Sequence, residues 1–127
     1  MKVIALDYGS ARTGVAVSDP TGSLARPLCV IERAGTPDGL SRVRELLREE
    51  QAERVVVGLP LTLRGTKGEQ ARETEQFVEE LRAAVDVPVE TFDERFTTTL
   101  AGPGAGDDAR AAAHLLSSYL EWSSRRS

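Results

Sequence analysis

The stretch VIALDYGSARTGVAVSD, residues 3–19, decides the fold because it predicts the first β-hairpin of the chain. Two short apolar runs flank a turn of small residues, and an acid lies just beyond each run. We expect strands over residues 2–8 and 14–18. Asp7 then lies at the end of a buried strand, where a carboxylate is costly to desolvate without a counter-charge.

The two acids that bracket this hairpin call for different interpretations. Asp19 precedes Pro20 and is interpreted as the start of a turn. Gly9 and Gly14 are expected to let the backbone turn tightly beside Asp7. On pattern alone, Asp7 either caps that turn through its side chain or has a chemical role, and the hairpin sequence leaves both alternatives open.

The rest of the chain continues as strands and then as alternating helices and strands. Apolar runs and helical periodicity predict a strand at 27–31, a helix beginning at Thr36-Pro37, a strand at 55–57, a helix at 68–84, a strand at 87–92, a loop at 100–106 and a helix at about 107–122. This order predicts one α/β domain over residues 1–127. Its mixed five-stranded sheet has the first three strands antiparallel and helices on both faces.

Composition narrows the class of protein. The chain has 127 residues, of which 40% are hydrophobic and 28% charged, which is typical of a globular domain. Its single cysteine excludes an internal disulfide framework and a cysteine-based zinc site. No apolar run approaches a membrane span or a secretion signal, so we expect a cytoplasmic protein that does not bind membranes. The net charge of −4 is unlike that of a general nucleic-acid binder, although a carboxylate metal site would account for part of it.

Acids recur where the predicted strands end and where the last helix begins. Besides Asp7, the last strand leads into Asp93-Glu94, and the last helix opens with Asp107-Asp108. The carboxyl ends of parallel strands meet at one edge of a sheet, so these side chains are expected to converge. Converging carboxylates need a cation, and hard oxygen ligands select Mg²⁺ or Mn²⁺. Such ions can activate water and stabilise the leaving oxygen in phosphodiester cleavage.

Each of these acids also has a purely structural interpretation. Asp107 and Asp108 suit a helix N-cap and a favourable helix dipole. Asp93-Glu94-Arg95 suits an exposed turn with a local ion pair. The chemical interpretation therefore depends on the acids being brought together.

The sequence resembles the YqgF/RuvX family, which comprises Holliday-junction-resolvase-like proteins of bacteria with a ribonuclease H-like fold. Four blocks carry the resemblance, in the family's order and across nearly the whole chain. They are LDYGSARTGVAVSD at 6–19, VVGLPLTLRGTKGEQA at 56–71, DERFTTTLA at 93–101 and DDARAAAHLLSSYLE at 107–121. Two features depart from the family: Ala11 stands where a lysine is common, and residues 100–106 replace a longer, often basic stretch.

The resemblance implies a metal-dependent nuclease. Asp7, Glu94 and Asp108 occupy the family's acidic positions, which implies that they are catalytic and bind Mg²⁺ or Mn²⁺. The positions implied to contact substrate are Arg12, Arg95, Thr97 and Thr98, with Lys67 and Arg64 as weaker candidates. The family is linked to processing of the 5′ end of pre-16S ribosomal RNA and, through similarity to RuvC, to resolving branched DNA.

The expected partners follow from that activity, and two other classes of protein stay open. We expect nucleic acid as substrate, ribosomal particles as a further partner, and a monomer or weak homodimer. One alternative is a nucleotide-binding module of the actin and sugar-kinase type, whose first hairpin also binds phosphate, although such proteins need two of these domains. The other is a non-catalytic ribosome- or transcription-associated factor with the same fold.

Overall fold

The fold is known from a computed structural model that describes residues 1–62, 64–96 and 108–126. Over these residues the chain forms a mixed five-stranded sheet. The strands are β1 Val3–Asp7, β2 Arg12–Ser18, β3 Ala25–Glu32, β4 Arg54–Leu59 and β5 Val89–Asp93. They lie side by side in the order β3-β2-β1-β4-β5. The first three strands pair antiparallel, whereas β1–β4 and β4–β5 pair parallel, which confirms the predicted sheet.

The helices follow the predicted order. They are α1 Pro37–Glu49, α2 Glu69–Ala84 and α3 Asp108–Arg126, with a single 3₁₀ turn at Glu94–Phe96. At the start of α1, Thr36 Oγ1 accepts a hydrogen bond from the backbone N–H of Gly39 at 3.2 Å, as its Thr-Pro sequence predicts. No described helix is both long enough and apolar enough to cross a bilayer. The predicted loop at 100–106 and Asp107 lie outside the described residues.

The sheet separates two apolar cores because successive strand side chains point to opposite faces. On one face Ile4 and Leu6 of β1 pack with the apolar sides of α1 and α2. On the other face Val3 and Ala5 pack with α3. The same alternation directs Asp7 toward the α3 face, and Tyr8 packs against the core on the α1 and α2 face. The two residues at the end of β1 therefore serve different faces of the sheet.

The carboxyl ends of β1, β4 and β5 meet at one edge of the sheet. In the parallel register Leu6 lies beside Val57, and Leu59 lies beside Asp93. β4 lies between β1 and β5, so the ends of the first and last strands are separated by one strand. Any contact between Asp7 and the residues after β5 must therefore cross β4.

Candidate active site

Asp7 and Glu94 do meet across β4. Glu94 opens the 3₁₀ turn directly after β5, and its carboxyl group shares a hydrogen bond with the carboxyl group of Asp7. Burial, followed by the negative charge of Asp7, raises the pKa of Glu94 to about 7. Burial also raises the pKa of Asp7. Glu94 is therefore the proton donor of the pair, and one proton holds together two carboxyl groups that would otherwise repel each other.

Gly58 of β4 makes this contact possible. A Cβ atom at position 58 would lie 2.6 Å from Oε1 of Glu94 and 3.0 Å from its Cγ, closer than non-bonded atoms approach. Glu94 thus crosses β4 at a position where that strand has no side chain. The sequence predicts a strand only over residues 55–57, which leaves Gly58 outside it, whereas β4 extends to Leu59. A glycine within a strand is itself a signal of such a close approach.

Asp108 reaches the same neighbourhood through a second glycine. Gly14 lies opposite Asp7 in the β1–β2 register, and a Cβ atom there would overlap the backbone carbonyl of Asp108. The first turn of α3 therefore packs directly on the backbone of β2. The charge of Asp108 contributes to the raised pKa of Asp7, which places the third acid within electrostatic range of the pair. Gly14 lies within β2 and has no positive φ, so close packing rather than the expected turn requires a glycine here.

Arg12 is the cation beside these acids. Its Nε lies 3.3 Å from Oδ2 of Asp108, and its side chain is 63% exposed. An exposed guanidinium next to a carboxylate cluster can exchange that carboxylate for a phosphate oxygen. The structure therefore brings Arg12 together with the three acids.

Two of the other predicted cations, Arg95 and Lys67, are engaged in ion pairs. Arg95 binds Asp93, with its Nε 3.0 Å and its Nη2 2.6 Å from Oδ2, and this contact lowers the pKa of Asp93. Lys67 Nζ lies 2.7 Å from Oε2 of Glu75. Both side chains are at the surface, where such pairs are weak and exchangeable. The local ion pair considered for residues 93–95 is therefore present, and Glu94 alone of the three points to Asp7.

Three further residues from the sequence analysis are Thr97, Thr98 and Asp19. Thr97 and Thr98 lie outside the described residues. Asp19 accepts hydrogen bonds from the backbone N–H groups of Ser23 and Leu24 at 2.8 and 2.9 Å, which confirms its turn role.

The site offers the carboxyl oxygens of Asp7, Glu94 and Asp108, which are the kind of ligand that a divalent cation prefers. Within residues 1–62, 64–96 and 108–126, no group of three or more acidic, histidine or cysteine side chains is arranged to hold one metal ion. Two carboxyl groups do share one proton, and a third carboxylate nearby is bound to Arg12. Because a hard cation binds carboxylate oxygens and displaces protons from them, this set fits Mg²⁺ or Mn²⁺.

The order of the strands, with helices on both faces of the sheet, defines the class of protein as one with a ribonuclease H-like fold of the RuvC type. Solved structures agree on the fold. Thermus thermophilus RuvC in complex with a Holliday junction substrate aligns with a TM-score of 0.65 at 20% identity, covering 98% of this chain and 96% of that one. A second structure of Thermus thermophilus RuvC aligns with a TM-score of 0.62 at 18% identity and the same coverage. The chain belongs to the RuvX family, described as Holliday junction resolvase, which it matches over residues 1–122.

Curated relatives support the same assignment. A protein of Rubrobacter xylanophilus named "Putative pre-16S rRNA nuclease" is 46% identical and covers 94% of this chain and 92% of its own length. A protein of the same name from Roseiflexus is 48% identical over 100 residues, or 79% of this chain and 71% of its own. A third protein of this name, from Syntrophomonas wolfei, is 36% identical and covers 95% of this chain and 94% of its own length. These findings confirm the predicted nuclease family over the kinase-type alternative.

Proposed function

We propose that this chain is a divalent-metal-dependent nuclease in which Asp7, Glu94 and Asp108 bind Mg²⁺ or Mn²⁺. The observation that carries the proposal is the half-buried Asp7–Glu94 carboxyl pair at the carboxyl end of the parallel strands. Two carboxyl groups held this close bind either a proton or a cation, and a divalent ion competes with the proton at neutral pH.

The chemistry divides between the metal and the protein. A bound divalent ion supplies Lewis-acid stabilisation of the phosphoryl oxygens and an activated water. Asp7, at the end of β1, and Glu94, in the turn after β5, fix the position of the scissile phosphate. Arg12 leaves Asp108 and binds a substrate phosphate instead. Substrate binding thereby frees the Asp108 carboxylate to join Asp7 and Glu94 at the metal. Arg95, Lys67, Thr97 and Thr98 make further substrate contacts.

The proposed substrate is precursor 16S ribosomal RNA, cleaved at its 5′ end in the cytoplasm, on ribosomal particles. The names of the curated relatives support this choice. The second candidate is branched DNA, which the description of the family and the RuvC fold favour.

The test compares the wild-type chain with Asp7→Asn. Purified protein is incubated with Mn²⁺ or Mg²⁺ and either a 5′ fragment of precursor 16S rRNA or a four-way DNA junction. We expect metal-dependent cleavage of the RNA and loss of Mn²⁺ binding by calorimetry in Asp7→Asn, with urea unfolding verifying that the variant folds. The matched control is Asp86→Asn, which alters an exposed aspartate outside the site.

The outcomes separate the alternatives. Full activity or unchanged Mn²⁺ binding in Asp7→Asn would refute the metal site. Cleavage of the junction but not of the RNA would favour the second substrate. Binding to ribosomal particles without cleavage of either substrate would support the non-catalytic factor instead.

A further inference from the structure

A cavity of about 410 Å³ opens beside the end of β1, on the face of the sheet that carries α1 and α2. Tyr8, the residue after Asp7, lines it together with Ser10 of the β1–β2 turn. Because neighbouring strand residues serve opposite faces, the cavity and the acid cluster lie back to back across the end of β1. A polymer that crosses this end of the sheet can reach both.

The floor of the cavity is aromatic. The rings of Tyr8 and Phe77 are stacked with their centroids 4.3 Å apart and their planes at 18°. Gly35 lines the wall opposite, and a Cβ atom there would lie 3.3 Å from the hydroxyl oxygen of Tyr8. The absence of a side chain at Gly35 thus leaves space in front of the Tyr8 hydroxyl. A flat, apolar floor with an open side suits a planar ring.

One side of the cavity is rich in hydrogen-bond acceptors. Glu73, Gln76 and Glu80 line it from α2, at positions separated by three and four residues and therefore on one face of that helix. Among the described residues, neither glutamate forms an ion pair. Arg33 lines the same cavity, so the site combines carboxylate acceptors with a guanidinium donor. This combination suits a group that carries both N–H donors and a carbonyl oxygen.

We propose that this cavity binds an unpaired guanine base of the nucleic-acid strand whose phosphate lies at Asp7. Guanine presents two adjacent N–H donors, N1–H and the N2 amino group, which match the two oxygens of one carboxylate. Adenine and cytosine present only an amino group beside an acceptor, and uracil presents a single N–H between two carbonyls. Unstacked bases are commonly read in this way, by an aromatic surface and by hydrogen bonds to the Watson–Crick edge.

This inference deepens the proposed function and rests on it, because it assumes that a nucleic-acid strand passes Asp7. It adds sequence preference near the cleavage position, which the acid cluster by itself does not provide. The backbone contacts of Arg12 would then position the strand, and the cavity would select the base.

The test measures binding without cleavage. Fluorescence anisotropy in EDTA gives the affinity for labelled single-stranded AAAGAAA RNA and for the same strand with inosine or uridine in place of guanosine. Inosine lacks only the N2 amino group. We expect wild-type protein to bind the guanosine strand about tenfold more tightly than the inosine strand, as a lost bidentate contact commonly gives.

Variants of α2 test whether the guanosine preference arises in this cavity. The double variant Glu73→Gln, Glu80→Gln should lose the guanosine preference while it still binds RNA. Glu79→Gln, on the same helix and paired with Arg82, is the matched control and should keep it. Amide NMR shifts of Gly35 and Gln76 on adding guanosine monophosphate report the location directly.

The results separate this inference from the nuclease proposal. Equal binding of all three strands by wild-type protein, or an unchanged preference in the double variant, overturns the guanine site. If such a protein still cleaves RNA with Mn²⁺, the nuclease function stands without the base site. A guanosine preference lost in the double variant supports the site, even in a protein that cleaves nothing with either metal.

Discussion

Replacing Gly58 by alanine tests whether the crossing of β4 by Glu94 creates the active site. The added methyl carbon would lie 2.6 Å from Oε1 of Glu94, whereas non-bonded carbon and oxygen atoms in favourable contact lie about 3.5 Å apart. Because the Glu94 side chain is flexible, we expect its carboxyl group to move by roughly 1 Å away from Asp7, and we expect the protein to stay folded.

This displacement sets the expected loss of cleavage rate. A misplacement of about 1 Å in a catalytic arrangement can lower a rate about a hundredfold. We therefore expect cleavage of the proposed RNA substrate to fall between about tenfold and a hundredfold, with weaker binding of Mn²⁺. The same methyl group would lie 3.1 Å from Cδ2 of Leu115 in the core, for which we expect a loss of only about 1 kcal/mol in the free energy of unfolding.

The assay compares cleavage rates over a range of Mn²⁺ concentrations, with urea unfolding of each variant. Gly68→Ala is the control, because among the described residues a Cβ atom at position 68 meets only Cγ2 of Thr62, at 3.9 Å. If Gly58→Ala cleaves RNA and binds Mn²⁺ within twofold of the wild type, Glu94 does not act through its contact with Asp7.

Three further predictions concern the same site. The pKa of Glu94 is raised to about 7 from its ordinary 4.5, so its contribution to stability is present below pH 4.5 and is lost as the pH rises through 7. Glu94→Gln should therefore raise the free energy of unfolding at pH 8 in EDTA, by on the order of 1 kcal/mol, and abolish cleavage; lower stability than wild type would contradict this. Gly14→Ala should cost about 3 kcal/mol in urea unfolding, because its methyl group meets the rigid backbone of Asp108; a loss as small as that of Gly68→Ala would count against it. Arg12→Gln should lower by about one the slope of log affinity for RNA against log salt, and an unchanged slope would show that Arg12 contacts no phosphate.

Local sequence predicted the elements of the fold and the candidate acids, and the family resemblance chose Glu94 over Asp93 and Asp108 over Asp107. Thr36-Pro37 predicts the start of α1 because capping depends on residues next to one another. Asp7 and Glu94 stand out because each lies at or just after the end of a predicted strand. The ion pair of Asp93 with Arg95 could also be predicted from the sequence, because only one residue separates them.

The contacts that assemble the site depend on the order of the strands, which local patterns do not encode. Nothing near Gly58 indicates that β4 lies between β1 and β5, and only that neighbourhood explains why a side chain is absent there. The same holds for Gly14, whose partner is the first turn of α3 about ninety residues later. In both cases the missed signal is an empty position within a strand.

The docking of α3 has a consequence for how this family can vary. The helix is held by side chains such as Ala112 and Leu116, which are buried against the sheet, and by its first turn on Gly14. Its anchorage is thus independent of the chain that leads into it. Insertions and deletions between β5 and α3 can therefore accumulate during evolution without moving Asp108, because the entropic cost of closing a connection grows only slowly with its length. The short stretch between β5 and α3 in this sequence is thus compatible with the packing of Asp108 against Gly14.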